Sequence, residues 1–317
     1  MKIIRGLPEK EREYKNPVLT LGNFDGVHLG HQEIFKKIVN RAKEIGGTSI
    51  AITFDPHPLK ILAPEKCPSL ITNFKEKAEI LESLQVDILF SIPFSRKFSD
   101  LNAADFVKKI VVDKIGAKEL FIGYDFAFGK GREGDTGILK GLGESMGFKV
   151  TVFEPIRVGE KTVSSTLIRN LIKEGNVREA YIYLGRPYSV SGKVIKGHGR
   201  GKRLGFPTAN INFQSELIPG DGVYVGEVLF GENRYKSLIN VGTNPTFGED
   251  KLNIEVFILD FDKDIYGEYL KVLFHEKIRG EIRFKAQEQL IVQMRNDLKQ
   301  ARDFFEIFEK SKKLKIF

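Results

Sequence analysis

Pro17-Val18-Leu19-Thr20-Leu21-Gly22-Asn23-Phe24-Asp25-Gly26-Val27-His28-Leu29-Gly30-His31 runs from an apolar segment through a glycine-rich turn into an amphipathic one. Residues 17–22 read as a buried strand. From His31 the apolar positions Ile34, Phe35, Ile38, Val39, Ala42 and Ile45 recur at helical spacing, and Gly46-Gly47 ends the run. On either side the same alternation continues. Strand patterns at residues 48–54, 86–92, 119–123 and 148–153 are separated by helix patterns at 74–84, 103–112 and 137–146. Strands joined by crossover helices make βαβ units and a parallel sheet, in which chemistry gathers at the carboxyl ends of the strands.

Two short helices, 165–173 and 177–184, precede Gly185-Arg186-Pro187-Tyr188, where glycine and proline break the chain. The expected domains are therefore 1–184 and 185–317. In the second, β-type runs at 189–195, 222–230, 234–241, 253–261 and 268–278 are split by Gly, Asn and Pro. That pattern predicts a small antiparallel barrel or sandwich, closed by an amphipathic helix over 285–310.

Composition narrows the function. The chain has 317 residues, 41% hydrophobic and 29% charged, which excludes disorder and suits about two domains. Cys67 is the single cysteine, so neither an internal disulfide nor a cysteine-built zinc site is expected, and a reducing cytoplasm is the expected home. Charged residues return after two apolar ones at the start, unlike a signal peptide. No apolar run approaches the roughly 18 residues of a membrane span. Lys and Arg number 50 against 42 Asp and Glu, and the net charge of +8 favours anionic partners: nucleotides, nucleic acid or a membrane surface.

The turn offers its own chemistry. Gly22, Gly26 and Gly30 let backbone approach a ligand, and a helix N-terminus favours phosphate. His28 and His31 can share one side of the helix start and donate to a polyphosphate. The same residues also suit a capped helix with two ordinary histidines. Asp55, in Thr53-Phe54-Asp55-Pro56-His57-Pro58, and Asp125, in Gly123-Tyr124-Asp125-Phe126-Ala127-Phe128-Gly129, leave later strands toward the same sheet edge. Each is equally compatible with simple turn chemistry. Ser164-Ser165-Thr166-Leu167-Ile168-Arg169 either caps a helix or binds phosphate oxygens, with Arg169 in a charge-assisted contact.

In this order and spacing, GNFDGVHLGH, TFDPHP, GYDFAFG and SSTLIR resemble the adenylyltransferase half of bacterial bifunctional riboflavin kinase/FAD synthetases. The resemblance implies a Rossmann-like α/β nucleotidylyltransferase domain. It implies that His28, His31, Ser164, Ser165, Thr166 and Arg169 handle ATP phosphates, with His28, His31 and Arg169 catalytic. Gly22, Phe24, Gly26 and Gly30 would line the phosphate side, and Asp125, Phe126 and Phe128 the flavin side. Asp55 stands where the family more often has Glu.

The second half carries Gly197-His198-Gly199-Arg200-Gly201-Lys202-Arg203-Leu204-Gly205-Phe206-Pro207-Thr208-Ala209-Asn210. Four glycines among four basic residues can wrap phosphates, although an RNA-contacting or merely flexible basic loop has the same composition. Thr208 and Asn210 share a face if extended, and their hard oxygens suit Mg²⁺ shared with phosphates. Glu255 alternates with apolar neighbours, as a general base lining a site or a solvent-facing strand residue would.

This stretch resembles the riboflavin kinase signature ending in GFPTAN. NVGTNPTFG at 240–248, EVFILDF at 255–261 and IRGEIRF at 278–284 are similar to its remaining elements. The resemblance implies an antiparallel β-barrel kinase domain with a C-terminal helix. Gly197, Gly199, Gly201, Lys202 and Gly205 would bind ATP phosphates, Thr208 and Asn210 Mg²⁺, and Arg279 and Glu281 flavin, with Glu255 the catalytic base. Lys202 stands where Arg is frequent.

Together the resemblances imply two reactions. Riboflavin attacks the γ-phosphate of ATP to give FMN, and FMN attacks the α-phosphate of a second ATP to give FAD and pyrophosphate. The expected partners are riboflavin, FMN, FAD and ATP, without nucleic acid or membrane; the oligomeric state is left open. A cytidylyl or pantetheine-phosphate transferase would share HxGH but not the barrel motif. An RNA-binding protein would need an aromatic-basic motif that is absent. A flavin store would leave the glycine-rich basic loops without a purpose.

Overall fold

The computed structural model describes residues 1–8, 11, 13–197, 201, 204–243 and 252–314. The chain divides into two compact units, Met1–Ser165 and Thr166–Phe317.

The first unit holds β1 (Lys2–Arg5), β2 (Pro17–Leu21), α1 (Leu29–Glu44), β3 (Thr48–Phe54), α2 (Pro58–Leu62), α3 (Phe74–Ser83), β4 (Ile88–Ile92) and α4 (Arg96–Ser99). It continues with α5 (Ala103–Phe106), a π-helical extension over Val107–Ile115, β5 (Glu119–Gly123), α6 (Thr136–Met146) and β6 (Lys149–Phe153). A small hairpin, β7 (Arg157–Val158) and β8 (Lys161–Thr162), follows. The main sheet is wholly parallel in the order β1-β4-β3-β2-β5-β6. The predicted parallel sheet is therefore present, with β1 added at one edge.

Strand alternation feeds two cores. Leu19, Ile50, Ile52 and Phe90 pack with Phe106, Val107 and Leu139 on one face. Val18, Ala51 and Leu89 pack with Phe35 and Ile38 of α1 and Leu81 of α3 on the other. Both faces are covered, so the strands read as continuous apolar runs. The chain moves outward from β2 through β3 to β4, then returns to the opposite side of β2 at β5. That reversal is a topological switch point, where open α/β sheets bind ligands.

Helix α7 (Ser165–Lys173) crosses the division, and α8 (Val177–Leu184) follows. The second unit then forms β9 (Tyr188–Ile195), β10 (Ala209–Phe213), β11 (Gly222–Phe230), β12 (Asn233–Thr243), β13 (Leu252–Ile258), β14 (Tyr269–Arg279) and α9 (Gln287–Leu314). These strands close an antiparallel barrel in the order β10-β13-β12-β11-β14-β9. Between barrel and sandwich, the structure is a barrel. Tyr224, Val256 and Phe274 fill it, while Ala301 and Phe305 of α9 pack on Val225 from outside.

Candidate active sites

The turn after β2 departs sharply from ordinary backbone. Phe24 (φ 47°, ψ 40°), Gly26 (φ 78°) and Val27 (φ 39°) are all left-handed. Glycine adopts that region freely, but Phe and Val do so at a cost of about 1–3 kcal/mol each. Three anchors hold them. The buried Asp25 carboxylate accepts from the Ile71 and Thr72 N–H groups at 2.9 and 3.3 Å. The Gly26 N–H donates to Thr72 Oγ1 at 3.1 Å. Lys77 Nζ donates to the Asn23 carbonyl at 2.6 Å.

His28 caps α1: its Nδ1 accepts from the His31 N–H at 3.4 Å. In the neutral ring that leaves Nε2 carrying the proton, a donor by tautomer. The two imidazoles stack at 3.6 Å and 17°. Phe24 meets His31 edge-on at 5.3 Å. His31 Nδ1 is buried and, among the described residues, has no hydrogen-bond partner. Burial first, then the nearby His28 and Lys77, hold the His31 imidazole well below the usual histidine range, so it is neutral at pH 7. Lys77 is itself buried, and burial pulls its amine down to about 8 against the opposing pull of Asp25 and Asp55. A helix N-terminus beside these imidazoles offers donors that a polyphosphate would find favourable.

The other expected residues of this unit gather at the same sheet edge by topology. Asp55 and Asp125 are exposed just past β3 and β5. Phe126 is half-buried and stacks at 5.5 Å and 19° on Phe128. Phe128 is buried in the core and tilts against Phe106 at 5.8 Å. Ser165 Oγ donates to the Asp25 carbonyl at 2.9 Å, which ties the start of α7 to the turn. Gly22 and Gly30 flank that turn, and Ser164, which directly precedes Ser165, is half-buried. Thr166, exposed, and Arg169, buried on α7, belong to the second unit.

On the barrel, Ile254, Val256 and Ile258 of β13 point inward, so Glu255 stands on the outer face. It pairs in register with Asn210 of β10 on one side and Asn240 of β12 on the other. Asn253 Nδ2 donates to both Asn210 Oδ1 and Glu255 Oε1, each at 3.0 Å. Thr208 immediately precedes β10, and the backbone of Gly197 lies against the Asn210 amide. The Gly201 carbonyl accepts from the Leu204 and Phe206 N–H groups, and Gly205 is left-handed. Gly199 and Lys202 lie outside the described residues, as does 244–248.

Arg279 and Glu281 differ in commitment. The Arg279 guanidinium grips the buried Asp297 carboxylate of α9, at 3.0 Å through Nε and 2.8 Å through Nη2. Glu281 is exposed, and its carboxylate approaches the backbone of Gly242 on β12, where a Cβ would collide with it.

Sequence reasoning missed Asp25, Lys77, Asn253 and Asp297. Lys77 had a legible signal: Phe74, Lys77, Ala78 and Leu81 fall on one helical stripe, which puts the amine on a buried face. Among the described residues no group of three or more His, Cys, Asp or Glu could hold a metal ion, and no helix is long and apolar enough to cross a membrane.

Comparison with known proteins adds a consistent picture. The FAD synthetase family model matches residues 10–167, and the riboflavin kinase family model matches residues 184–305. The bifunctional riboflavin kinase/FMN adenylyltransferase of Escherichia coli (strain K12) is 36% identical over 307 residues, 96% of this chain and 98% of that protein. The protein of the same name from Listeria monocytogenes is 38% identical over 293 residues, 92% of this chain and 93% of its own. The crystal structure of a macrolide-efflux protein from Streptococcus pneumoniae superposes with a TM-score of 0.87 at 31% identity, over 95% of this chain and 99% of that one.

Proposed function

The chain belongs to the family of bifunctional riboflavin kinase/FMN adenylyltransferases, and from that membership we propose how its residues divide the two reactions. It phosphorylates riboflavin to FMN and adenylylates FMN to FAD, with ATP as co-substrate in both steps. The observation that carries this is the succession of both family models along one chain, each on a unit of matching architecture.

In the barrel, Glu255 takes the proton from the ribityl 5′-hydroxyl of riboflavin as that oxygen attacks the γ-phosphate. Its carboxylate is oriented for this by Asn253. The loop carrying Gly197, Gly199, Gly201, Lys202 and Gly205 holds the phosphates. Thr208 and Asn210 offer hard oxygens on one face of an extended segment, which fits Mg²⁺. An ion there would supply charge neutralisation in transfer. Glu281 and the loop braced by Arg279 serve the flavin side.

In the first unit the nucleophile is the FMN phosphate, already anionic, so no general base is required. The Nε2 proton of His28, neutral His31 and the α1 N-terminus stabilise charge as pyrophosphate leaves the α-phosphorus. Ser164 and Ser165 serve the phosphate oxygens, while Gly22, Phe24, Gly26 and Gly30 shape the cradle. Asp125 and Phe126 meet the nucleotide and flavin, and Phe128 backs Phe126 from the core.

The adenylyltransferase segment is taken as 1–184 and the kinase segment as 185–317, supported by the start of the riboflavin kinase match at 184. A reducing cytoplasm suits the single cysteine. Efflux is said of the pneumococcal protein; the family models and the curated relatives name flavin chemistry instead.

Incubation with riboflavin, ATP and Mg²⁺, followed by chromatography, tests the reading. FMN should appear first and FAD after it. Unaltered riboflavin would overturn the kinase, and FMN without FAD the adenylyltransferase.

A further inference from the structure

Lys77 is an expensive residue to bury. Only 8% of it is exposed, and it lies on the α3 stripe among Phe74, Ala78 and Leu81, where a methionine would pack without the cost of desolvating a charge. Among the described residues its ammonium donates to the Asn23 carbonyl at 2.6 Å and to Thr53 Oγ1 at 3.3 Å. Thr53, also buried, donates its hydroxyl hydrogen bond to the same carbonyl at 3.3 Å. The Asn23 carbonyl is thus drawn inward by two buried donors. The peptide that follows is planar and trans, so its N–H, belonging to Phe24, points the opposite way. Among the described residues that N–H meets no acceptor. It sits at the carboxyl end of β2, in the turn that leads to His28 and His31.

We infer that Lys77 is a positioning residue for adenylyl transfer: it locks the Asn23–Phe24 peptide inward by its carbonyl so that the Phe24 N–H is presented to a nucleotide phosphate. The inference rests on the reading of the turn at 22–31 as the phosphate site. It adds a residue that acts through the backbone and from beneath, without touching substrate. A charged donor is suited to the task because charge-assisted hydrogen bonds are roughly twice as strong as neutral ones. The groups facing the ammonium are Asp25 from the turn, Asp55 from the end of β3 and His31 from α1. The two carboxylates favour its charged form, whereas burial opposes it and leaves the amine titrating at about 8.

The test uses the full chain with Lys77→Met and Lys77→Arg, and His28→Ala beside them. FAD formation from FMN and FMN formation from riboflavin are followed from about pH 6 to about pH 10, with calorimetric unfolding of each variant. Lys77→Met should lower kcat for FAD formation by about tenfold or more, with a smaller change in KM for ATP. FMN formation should be unchanged, and unfolding should not occur at lower temperature. In the parent, FAD formation should decline as pH rises through the Lys77 titration. In Lys77→Arg, whose guanidinium stays charged, that alkaline decline should vanish. FAD formation within twofold of the parent in Lys77→Met would overturn the inference. So would a loss matched by a lowered unfolding temperature, which marks packing alone. If Lys77→Arg does not fold, the Lys77→Met kinetics decide. Retained FAD formation in His28→Ala would instead overturn the reading of the turn itself.

Discussion

His28 and Glu255 should fail in opposite assays. His28→Ala removes the α1 cap, worth about 1 kcal/mol, and a donor toward charge that develops on phosphate. FAD formation should fall about 100-fold or more, with FMN formation spared. Glu255→Gln keeps the shape beside Asn253 and removes the base, so FMN formation should fall by about 100-fold to 10,000-fold. FAD formation from supplied FMN should then be untouched. Chromatography of flavins from reactions started with riboflavin or with FMN separates the two, and equal losses in both assays would sink the division of labour. The paired histidines were legible because two of five histidines fall in one glycine-rich turn after a strand. Asp25 was not, because its partners, the Ile71 and Thr72 N–H groups, lie more than forty residues away and meet it only in the fold. The same holds for Asn253, which reads as an ordinary strand polar residue until β10 is laid beside β13.

Among the elements, α9 shows what a helix pattern leaves unsaid. Its amphipathic period announces a helix, but not what fastens it to the barrel. Besides the packing of Ala301 and Phe305, one fastening is an ion pair between half-buried Arg279 at the end of β14 and buried Asp297, which also accepts from Gln293 at 2.8 Å. Farther along, the Phe308 ring lies 4.9 Å from His275, itself bonded to Glu227 at 2.8 Å. Asp297→Ala leaves the half-buried Arg279 guanidinium without its carboxylate and should destabilise the barrel by about 1–3 kcal/mol. The loop beyond β14, which carries Glu281, should loosen with it. The expected result is a lower unfolding temperature and a raised KM for riboflavin, with FAD formation from FMN unaffected. An unchanged KM beside a lowered unfolding temperature would remove the loop from the flavin side. Strands β1 and β10 escaped the pattern for different reasons. Lys2–Arg5 offers only two apolar residues, and its parallel pairing with β4 is invisible locally. Ala209–Phe213 lies inside a motif whose chemistry dominates its reading, although its asparagines alternate with apolar residues as a strand requires.

Across the whole chain, the break at Gly185-Arg186-Pro187 and the division of contacts at Ser165 mark different things. Glycine and proline show where regular structure stops; they do not show which neighbour a helix packs on. Helix α8 buries Val177, Ala180, Tyr183 and Leu184, and it lies on β14 and β9 of the barrel. Arg178 reaches Glu276 at 3.0 Å, and the Gly220 N–H donates to the Ile172 carbonyl of α7 at 3.1 Å. Burying four such side chains is worth about 5 kcal/mol or more, a large part of the roughly 5–15 kcal/mol that holds a domain together. A fragment of residues 185–317 retains every barrel strand and the kinase motif, so it should phosphorylate riboflavin. It should also unfold about 10 °C or more below a fragment of residues 166–317, which keeps α8 on its seat. Calorimetry of the two fragments, with kinase turnover at a temperature where both are folded, checks this. Equal unfolding temperatures would mean that α8 contributes nothing to the barrel. A folded but inert 185–317 fragment would show that the kinase needs residues before 185.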